Sequence, residues 1–171
     1  MAPAAVVVAL VIATSGGGNA HGRTAVLPRL VSSYQDPSVG IGLRLPSDWT
    51  AANDRGVLRL SSHDSSAIIA LAAFPDPAQM ITRLAGALRT LLGEYPDTTV
   101  KSAPGDKLAG LPARSAVVSG RNRHGTTIRV LVAGAQGRTH AYLLDVFTGR
   151  NTPVRELVEA QEIIISLRLT G

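Results

Sequence analysis

The stretch VGIGLRLPSDW, residues 39–49, decides the fold class because it carries a strict strand pattern. Its apolar side chains alternate with glycine and arginine, and a period of two buries one face of a β-strand. Pro46 removes a backbone donor and begins a turn, so we expect the strand to end there.

The only tryptophan of the chain, Trp49, follows that turn. We expect it to be buried against one end of a sheet, where truncation to alanine costs about 3–5 kcal/mol. The alternative is an exposed indole that stacks on a sugar or a base.

Two helices are predicted between further strands. The first begins near Pro77, with Asp76 as its N-cap. Its apolar residues recur at helical spacing and indicate a face buried in the domain's own core: Ile81, Leu84, Leu88, Leu91 and Leu92. The second helix begins at Pro153 and is capped by Thr152.

The remaining regular segments read as strands. The runs GVLRLSS (56–62) and AIIALAAF (67–74) are separated by a turn-rich segment. Residues 126–149 predict a hairpin about the turn GAQG, with Arg129 and Asp145 on facing arms and placed to pair. Strand signals outnumber helices and short turns join most strands, so the predicted fold class is α+β, an antiparallel β-sheet with helices packed on it.

Composition excludes several kinds of site. The 171-residue chain contains no cysteine, which excludes disulfides, thiol catalysis, zinc–thiolate sites and iron–sulfur clusters. Its net charge of +5 is carried mostly by scattered arginines, so a nucleic-acid partner is not expected.

The first 20 residues are interpreted as a signal peptide or as the truncated end of an N-terminal anchor. An apolar run, residues 4–13, is too short to span a bilayer and is followed by small and polar residues. No lysine or arginine precedes the run, so both interpretations stay open. Residues 21–38 are predicted to be a linker and residues 39–171 the folded domain.

The landmarks follow one another in a recognisable order. A strand ends in LRLPSDW, an amphipathic helix and the segment LAGLPARSAVV follow, and a long hairpin leads into a C-terminal helix that closes with SLRL. This order resembles the PsbP-like superfamily over nearly the whole domain. The resemblance implies an α/β/α arrangement, in which an antiparallel β-sheet is sandwiched by helices, and a non-catalytic binding or scaffolding module. It supplies no site residue, because no ion-handling or docking motif of the family is matched here.

The most suggestive functional cluster is basic. Arg121, Arg123 and His124 lie in one connector, and Arg138 lies at the turn of the next hairpin. We predict that these residues form a patch for an anionic partner: a lipid headgroup, a wall polymer or an acidic protein face. The alternative is an ordinary solvated surface, and raised salt separates the two because it weakens contacts to phosphate.

The predicted function is a non-catalytic binding or scaffolding module, extracellular or associated with the envelope of a Gram-positive-type bacterium. Its expected partner is an envelope protein or an anionic surface; no cofactor or metal is expected, and only an uncleaved N-terminus would attach it to a membrane. The alternative is a small-ligand carrier with a cavity between sheet and helix, lined by residues such as Tyr142 and Phe147. A hydrolase, the third class, needs a polar cleft that joins His140 to a serine and an acid, and no motif suggests one.

Overall fold

A computed structural model describes residues 29–95, 97–121 and 125–170 of the chain. The predicted leader, residues 1–20, lies outside them, so its interpretation remains a prediction. The described residues contain eleven strands and two α-helices. The strands are β1 (Leu30–Asp36), β2 (Ile41–Pro46), β3 (Thr50–Asp54), β4 (Val57–Ser61), β5 (Ala67–Phe74), β6 (Thr99–Ser102), β7 (Lys107–Leu108), β8 (Leu111–Arg121), β9 (Thr127–Gln136), β10 (Ala141–Gly149) and β11 (Arg168–Leu169). The helices are α1 (Met80–Glu94) and α2 (Val154–Ser166).

The main sheet is antiparallel throughout and follows the order β3-β4-β5-β10-β9-β8-β6, with the short β7 paired to the start of β8. A second, three-stranded sheet has the order β1-β2-β11. β1 lies within the segment predicted to be a linker. Its side chains are mostly exposed, so only its pairing with β2 identifies it as a strand.

The two faces of the main sheet carry separate cores. One face packs against α2 and the small sheet, and this core includes Leu60, Leu144 and Ile163. The other face packs against α1 through Leu84 and Leu91, which meet Val130 and Val132 of β9. The prediction of an antiparallel sheet sandwiched by helices is therefore confirmed.

Trp49 has the structural role predicted for it. Its side chain is 6% exposed and belongs to the core on the α2 side of the sheet. Its Nε1 donates to Oε2 of the buried Glu159 at 2.9 Å. Arg155, one turn earlier on α2, donates to Glu159 Oε1 and to Asp48 Oδ2, both at 2.6 Å. The LPSDW segment thus fastens the end of β2 to α2, and the alternative of an exposed stacking surface is wrong.

Several local predictions are wrong for reasons of packing. The hairpin turn lies at residues 137–140, because Ala133 and Ala135 are buried and extend β9 to Gln136. The register places Asp145 opposite Val132, and Arg129 opposite Thr148. An odd separation along β9 between Arg129 and Val132 puts Arg129 and Asp145 on opposite faces of the sheet, so they do not pair.

The helix predictions need two corrections. Of the predicted apolar face of α1, Leu84 and Leu91 are buried, but Ile81 and Leu92 are 52% and 46% exposed. Each of these two exposed residues directly follows a buried one, Met80 or Leu91, and therefore lies about 100° around the helix from the buried face. Thr152 does not cap α2, because its hydroxyl accepts from Gly149 N and donates to Ser66 O, both at 2.8 Å.

Candidate functional site

A surface groove lies where three loops meet at one end of the main sheet. They are the β4–β5 loop, the start of β9 with the residues before it, and the β10–α2 loop. The cavity measures about 740 Å³, and Ile68, Ile128 and Phe147 provide its apolar lining. We call this cavity the loop-end groove.

Hydrogen bonds fix the rim of the loop-end groove. Asp64 Oδ1 accepts from Ser66 N at 2.8 Å and from Ser62 Oγ at 3.2 Å. Ser66 Oγ donates to Glu156 of α2 at 2.5 Å, and Thr152 Oγ1 donates to Ser66 O. These bonds lock the β4–β5 loop to α2, so the wall exists without a ligand.

The charge of the groove is positive. Arg121 and Arg150 line it, both are exposed, and neither has an ion pair or side-chain hydrogen bond among the described residues. Asp64 is the acid of the lining, and the pKa of its carboxyl is lowered, chiefly by the backbone hydrogen bond from Ser66. Its charge is already engaged by the loop, which leaves the two guanidinium groups available to an anion.

The structure brings together only part of the predicted basic patch. Arg121 lines the loop-end groove, whereas Arg138 lies in the β9–β10 turn at the opposite end of the ten-residue strand β9, roughly 30 Å away. Arg123 and His124 lie outside the described residues, so their role stays a prediction. Arg121 and Arg138 therefore do not belong to one surface patch.

Arg150 is a site residue that the sequence analysis missed. It follows β10 directly, in a loop whose sequence, GRNT, has no distinguishing pattern. Only the pairing of β10 with β9, and of β9 with β8, places it near Arg121. The sequence indicates that Arg150 and Arg121 are neighbours only once the strand order is known.

Two further grooves contain arginines that are already engaged. One of about 650 Å³ lies between α2 and the small sheet, but its arginines are already engaged: Arg44 donates to Leu30 O, and Arg168 donates to carbonyls at the end of α2. The other, of about 510 Å³, lies beside the start of α1. There Arg83 stacks on Phe74, with its guanidinium carbon 4.2 Å from the ring centroid, and donates to Gln79.

Tyr142 and Phe147, the two residues expected to line a ligand cavity between sheet and helix, do not lie on the same side of the sheet. The two residues are five apart on β10, so they face opposite sides of the sheet. Tyr142 is 1% exposed in the core on the α2 side, where its hydroxyl donates to Val39 O at 2.8 Å. Phe147 lies on the α1 side and lines the loop-end groove.

Asp145 is the most strongly perturbed ionisable group of the α1 side. Burial raises the pKa of its carboxyl from 3.8 to about 6. Its Oδ1 is buried and has no hydrogen-bond partner among the described residues. The sequence analysis placed Asp145 opposite an arginine and so missed this isolation.

His140, the histidine considered for a catalytic triad, contacts no acid among the described residues. His140 Nδ1 lies 2.8 Å from Thr139 Oγ1, and its ring lies 6.1 Å from that of Tyr142, so neither contact is with an acid. Across residues 29–95, 97–121 and 125–170, no group of three or more potential metal ligands occurs. In the same part of the chain, no helix has the length and apolar character needed to cross a bilayer.

Comparison with solved structures identifies the fold. No protein-family profile and no curated protein matches the sequence. The solution structure of the cyanobacterial PsbP protein CyanoP, from Synechocystis sp. PCC 6803, superposes with a TM-score of 0.55 at 12% identity, over 88% of this chain and 98% of that protein. The chain has the PsbP-like fold.

Two further solved structures are similar to this chain. A Bacteroides thetaiotaomicron protein matches with a TM-score of 0.53 at 17% identity over 81% of this chain, which spans about half (48%) of that protein. LpqN of Mycobacterium tuberculosis, described as involved in cell envelope biogenesis, matches with a TM-score of 0.49 at 16% identity, over 77% of this chain and 83% of LpqN.

Proposed function

We propose that this chain is a non-catalytic binding module of the cell envelope, exported by its N-terminal segment, whose loop-end groove binds an anionic group of its partner. The observation that carries the proposal is the pair of arginines, Arg121 and Arg150, which line one preformed groove and have no acidic partner among the described residues.

The chemistry of the groove favours a phosphate or carboxylate attached to an apolar body. Guanidinium groups bind such oxyanions through paired N–H donors, which a lysine does not provide. Ile68, Ile128 and Phe147 offer an apolar surface next to these donors. A free inorganic anion would leave that surface unused, so an amphiphilic headgroup or a substituted polymer fits better.

Octyl phosphate is a suitable probe because it joins a phosphate to a short apolar chain. We expect the full-length protein to bind it measurably in calorimetric titration, and to bind neutral octyl glucoside much more weakly. Changing Arg121→Gln together with Arg150→Gln removes both guanidinium groups and should weaken octyl phosphate binding about tenfold or more. Raising the salt concentration should weaken wild-type binding as well.

The matched control changes Arg114→Gln together with Arg138→Gln. Both residues are exposed, and both lie towards the opposite end of the sheet, since Arg114 pairs with Gly134 while Arg121 pairs with Thr127. This control loses the same net charge and should bind octyl phosphate as wild type does. Equal weakening in the two double variants would mean that net charge, and not the groove, attracts the anion.

A further inference from the structure

The charged side chains that line the loop-end groove follow the order of the strands that carry them. Asp64 lies just before β5, Arg150 follows β10, and Arg121 ends β8, with β9 between the last two strands. Neighbouring strands lie roughly 5 Å apart, so Asp64 and Arg150 start from backbones about one spacing apart, and Arg150 and Arg121 from backbones about two spacings apart. The groove therefore has an acidic side at β5 and a basic side towards β8.

The carboxylate of Asp64 is held in place but is not neutralised. Its Oδ1 accepts from Ser66 N and Ser62 Oγ, which are uncharged donors. Ser66 also donates through Oγ to Glu156, so a second carboxylate lies on the same side of the groove. The ion pairs among the described residues include none of the groove's charged side chains. Asp64 is exposed, so a cation on a ligand can reach it.

The apolar lining of the groove begins next to this charged rim. Ile68 of β5 lies directly opposite Phe147 of β10, and both line the groove together with Ile128 of β9. Phe147 and Ile128 pack against the core on the α1 side, so the apolar wall continues from the rim onto that face of the sheet. A ligand that fills the groove therefore meets one negative group, two positive groups and an apolar wall in one cavity.

We propose that the loop-end groove is specific for a zwitterionic phosphodiester headgroup, in which the phosphate carries an ammonium arm and an apolar chain. Such a ligand is a narrower class of the anion proposed above, on which this assignment rests. The phosphate binds Arg121 and Arg150, the ammonium binds Asp64, and the apolar chain covers Ile68 and Phe147. Two carbons between the ammonium and the phosphate oxygen separate the two charges by about 5 Å, the spacing of one strand.

A purely anionic ligand fits this groove less well. An anion held by Arg150 also lies close to Asp64, and like charges repel. An ammonium arm replaces that repulsion with a charge-assisted hydrogen bond. The net charge of the whole chain, +5, acts in the opposite direction, because it favours the ligand with the greater negative charge. A preference for the zwitterion therefore reports the local arrangement of the groove and not the overall charge.

The test compares two phosphodiesters of equal size by calorimetric titration of the full-length protein. Octyl 2-aminoethyl phosphate carries the ammonium arm, and octyl propyl phosphate has a methyl group in place of the ammonium. We expect the aminoethyl ester to bind about tenfold more tightly. Asp64→Asn keeps an acceptor oxygen for Ser66 and removes the charge, so it should abolish the preference while octyl propyl phosphate still binds. Asp54→Asn removes an exposed carboxylate on β3 and should keep the preference.

Equal affinity for the two esters in wild type, or tighter binding of the propyl ester, would overturn the proposed specificity and leave the anion site itself intact. A preference that survives Asp64→Asn would overturn it as well. Binding of neither ester would contradict the proposed function and, with it, the specificity.

Ethyl 2-aminoethyl phosphate tests the apolar chain, because it has the same headgroup without the octyl group. We expect it to bind at least about tenfold more weakly than the octyl ester, since it leaves Ile68 and Phe147 uncovered. Equal affinity would mean that the groove takes a soluble headgroup, and would overturn the assignment of an apolar chain to it.

Discussion

Asp145 is mostly ionised at neutral pH, although its surroundings disfavour the charge. Its carboxyl has a pKa of 3.8 when unperturbed and about 6 in the folded protein, because burial removes water from it. The folded state therefore holds the proton more tightly than the unfolded chain does. This stabilising contribution is complete below about pH 4, is lost as the pH rises from about 4 to 6, and stays lost above that window.

The change Asp145→Asn removes this pH-dependent term. At pH 7.5 the variant should be more stable than wild type by up to about 3 kcal/mol, since one pKa unit corresponds to about 1.4 kcal/mol. The difference should shrink as the pH falls to 4.5. Urea unfolding at the two pH values measures it, with Asp54→Asn as a control that removes the same charge from an exposed side chain. If the variant exceeds wild type in stability by the same amount at both pH values, the raised pKa of Asp145 is contradicted.

Trp49 contributes a hydrogen bond as well as volume. In Trp49→Phe a smaller aromatic ring remains, and Oε2 of Glu159 loses its indole donor inside the core. We expect a loss of about 1–3 kcal/mol for this variant and about 3–5 kcal/mol for Trp49→Ala. Denaturant unfolding separates the two contributions, and a phenylalanine variant as stable as wild type would show that the hydrogen bond contributes nothing net.

At the scale of elements, two glycines set how closely the α1 layer approaches the sheet. A Cβ on Gly120 of β8 would lie 3.2 Å from Tyr95 Cβ and 3.3 Å from the backbone oxygen of Asp97. A Cβ on Gly134 of β9 would lie 3.0 Å from Met80 Sδ, the far end of a side chain that can move, and 3.4 Å from Leu84 Cβ.

Alanine substitution at the two glycines should show that the chain after α1 moves less easily than the side chain of Met80. Gly120→Ala must displace the chain after α1 and should cost about 1–3 kcal/mol. Gly134→Ala should cost less, because Met80 can change rotamer. Thermal or urea unfolding of the two variants checks the order. The reverse order would mean that the segment after α1 yields more easily than α1 itself.

The sequence predicted individual strands and helices better than it predicted which of them lie side by side. Strict alternation identified β2, and helical spacing identified α1, because both patterns are local. β1 was missed because its side chains are mostly exposed, so only its pairing shows that it is a strand. The true hairpin turn was missed because Gly134, which was assigned to the turn, lies within β9 and packs under Met80. The sequence predicted one of the two arginines of the candidate site, Arg121. Arg150 becomes its neighbour only through the order of β8, β9 and β10 in the sheet.

At the scale of the whole molecule, the two ends of the sheet differ in chemistry. One end carries the loop-end groove with Arg121 and Arg150, and the other carries the β9–β10 turn with Arg138. If the loop-end groove holds the partner, as proposed, the charge at the other end of the sheet should be dispensable for binding.

The most direct test is cross-linking capture from an envelope fraction of the source organism by three tagged full-length proteins. They are wild type, Arg121→Glu with Arg150→Glu, and Arg114→Glu with Arg138→Glu, so the two variants carry the same net charge. We predict a partner that wild type and the second variant hold and the first variant loses. Retention of the same partner by the first variant, or its loss from both variants, would contradict the assignment of binding to the loop-end groove.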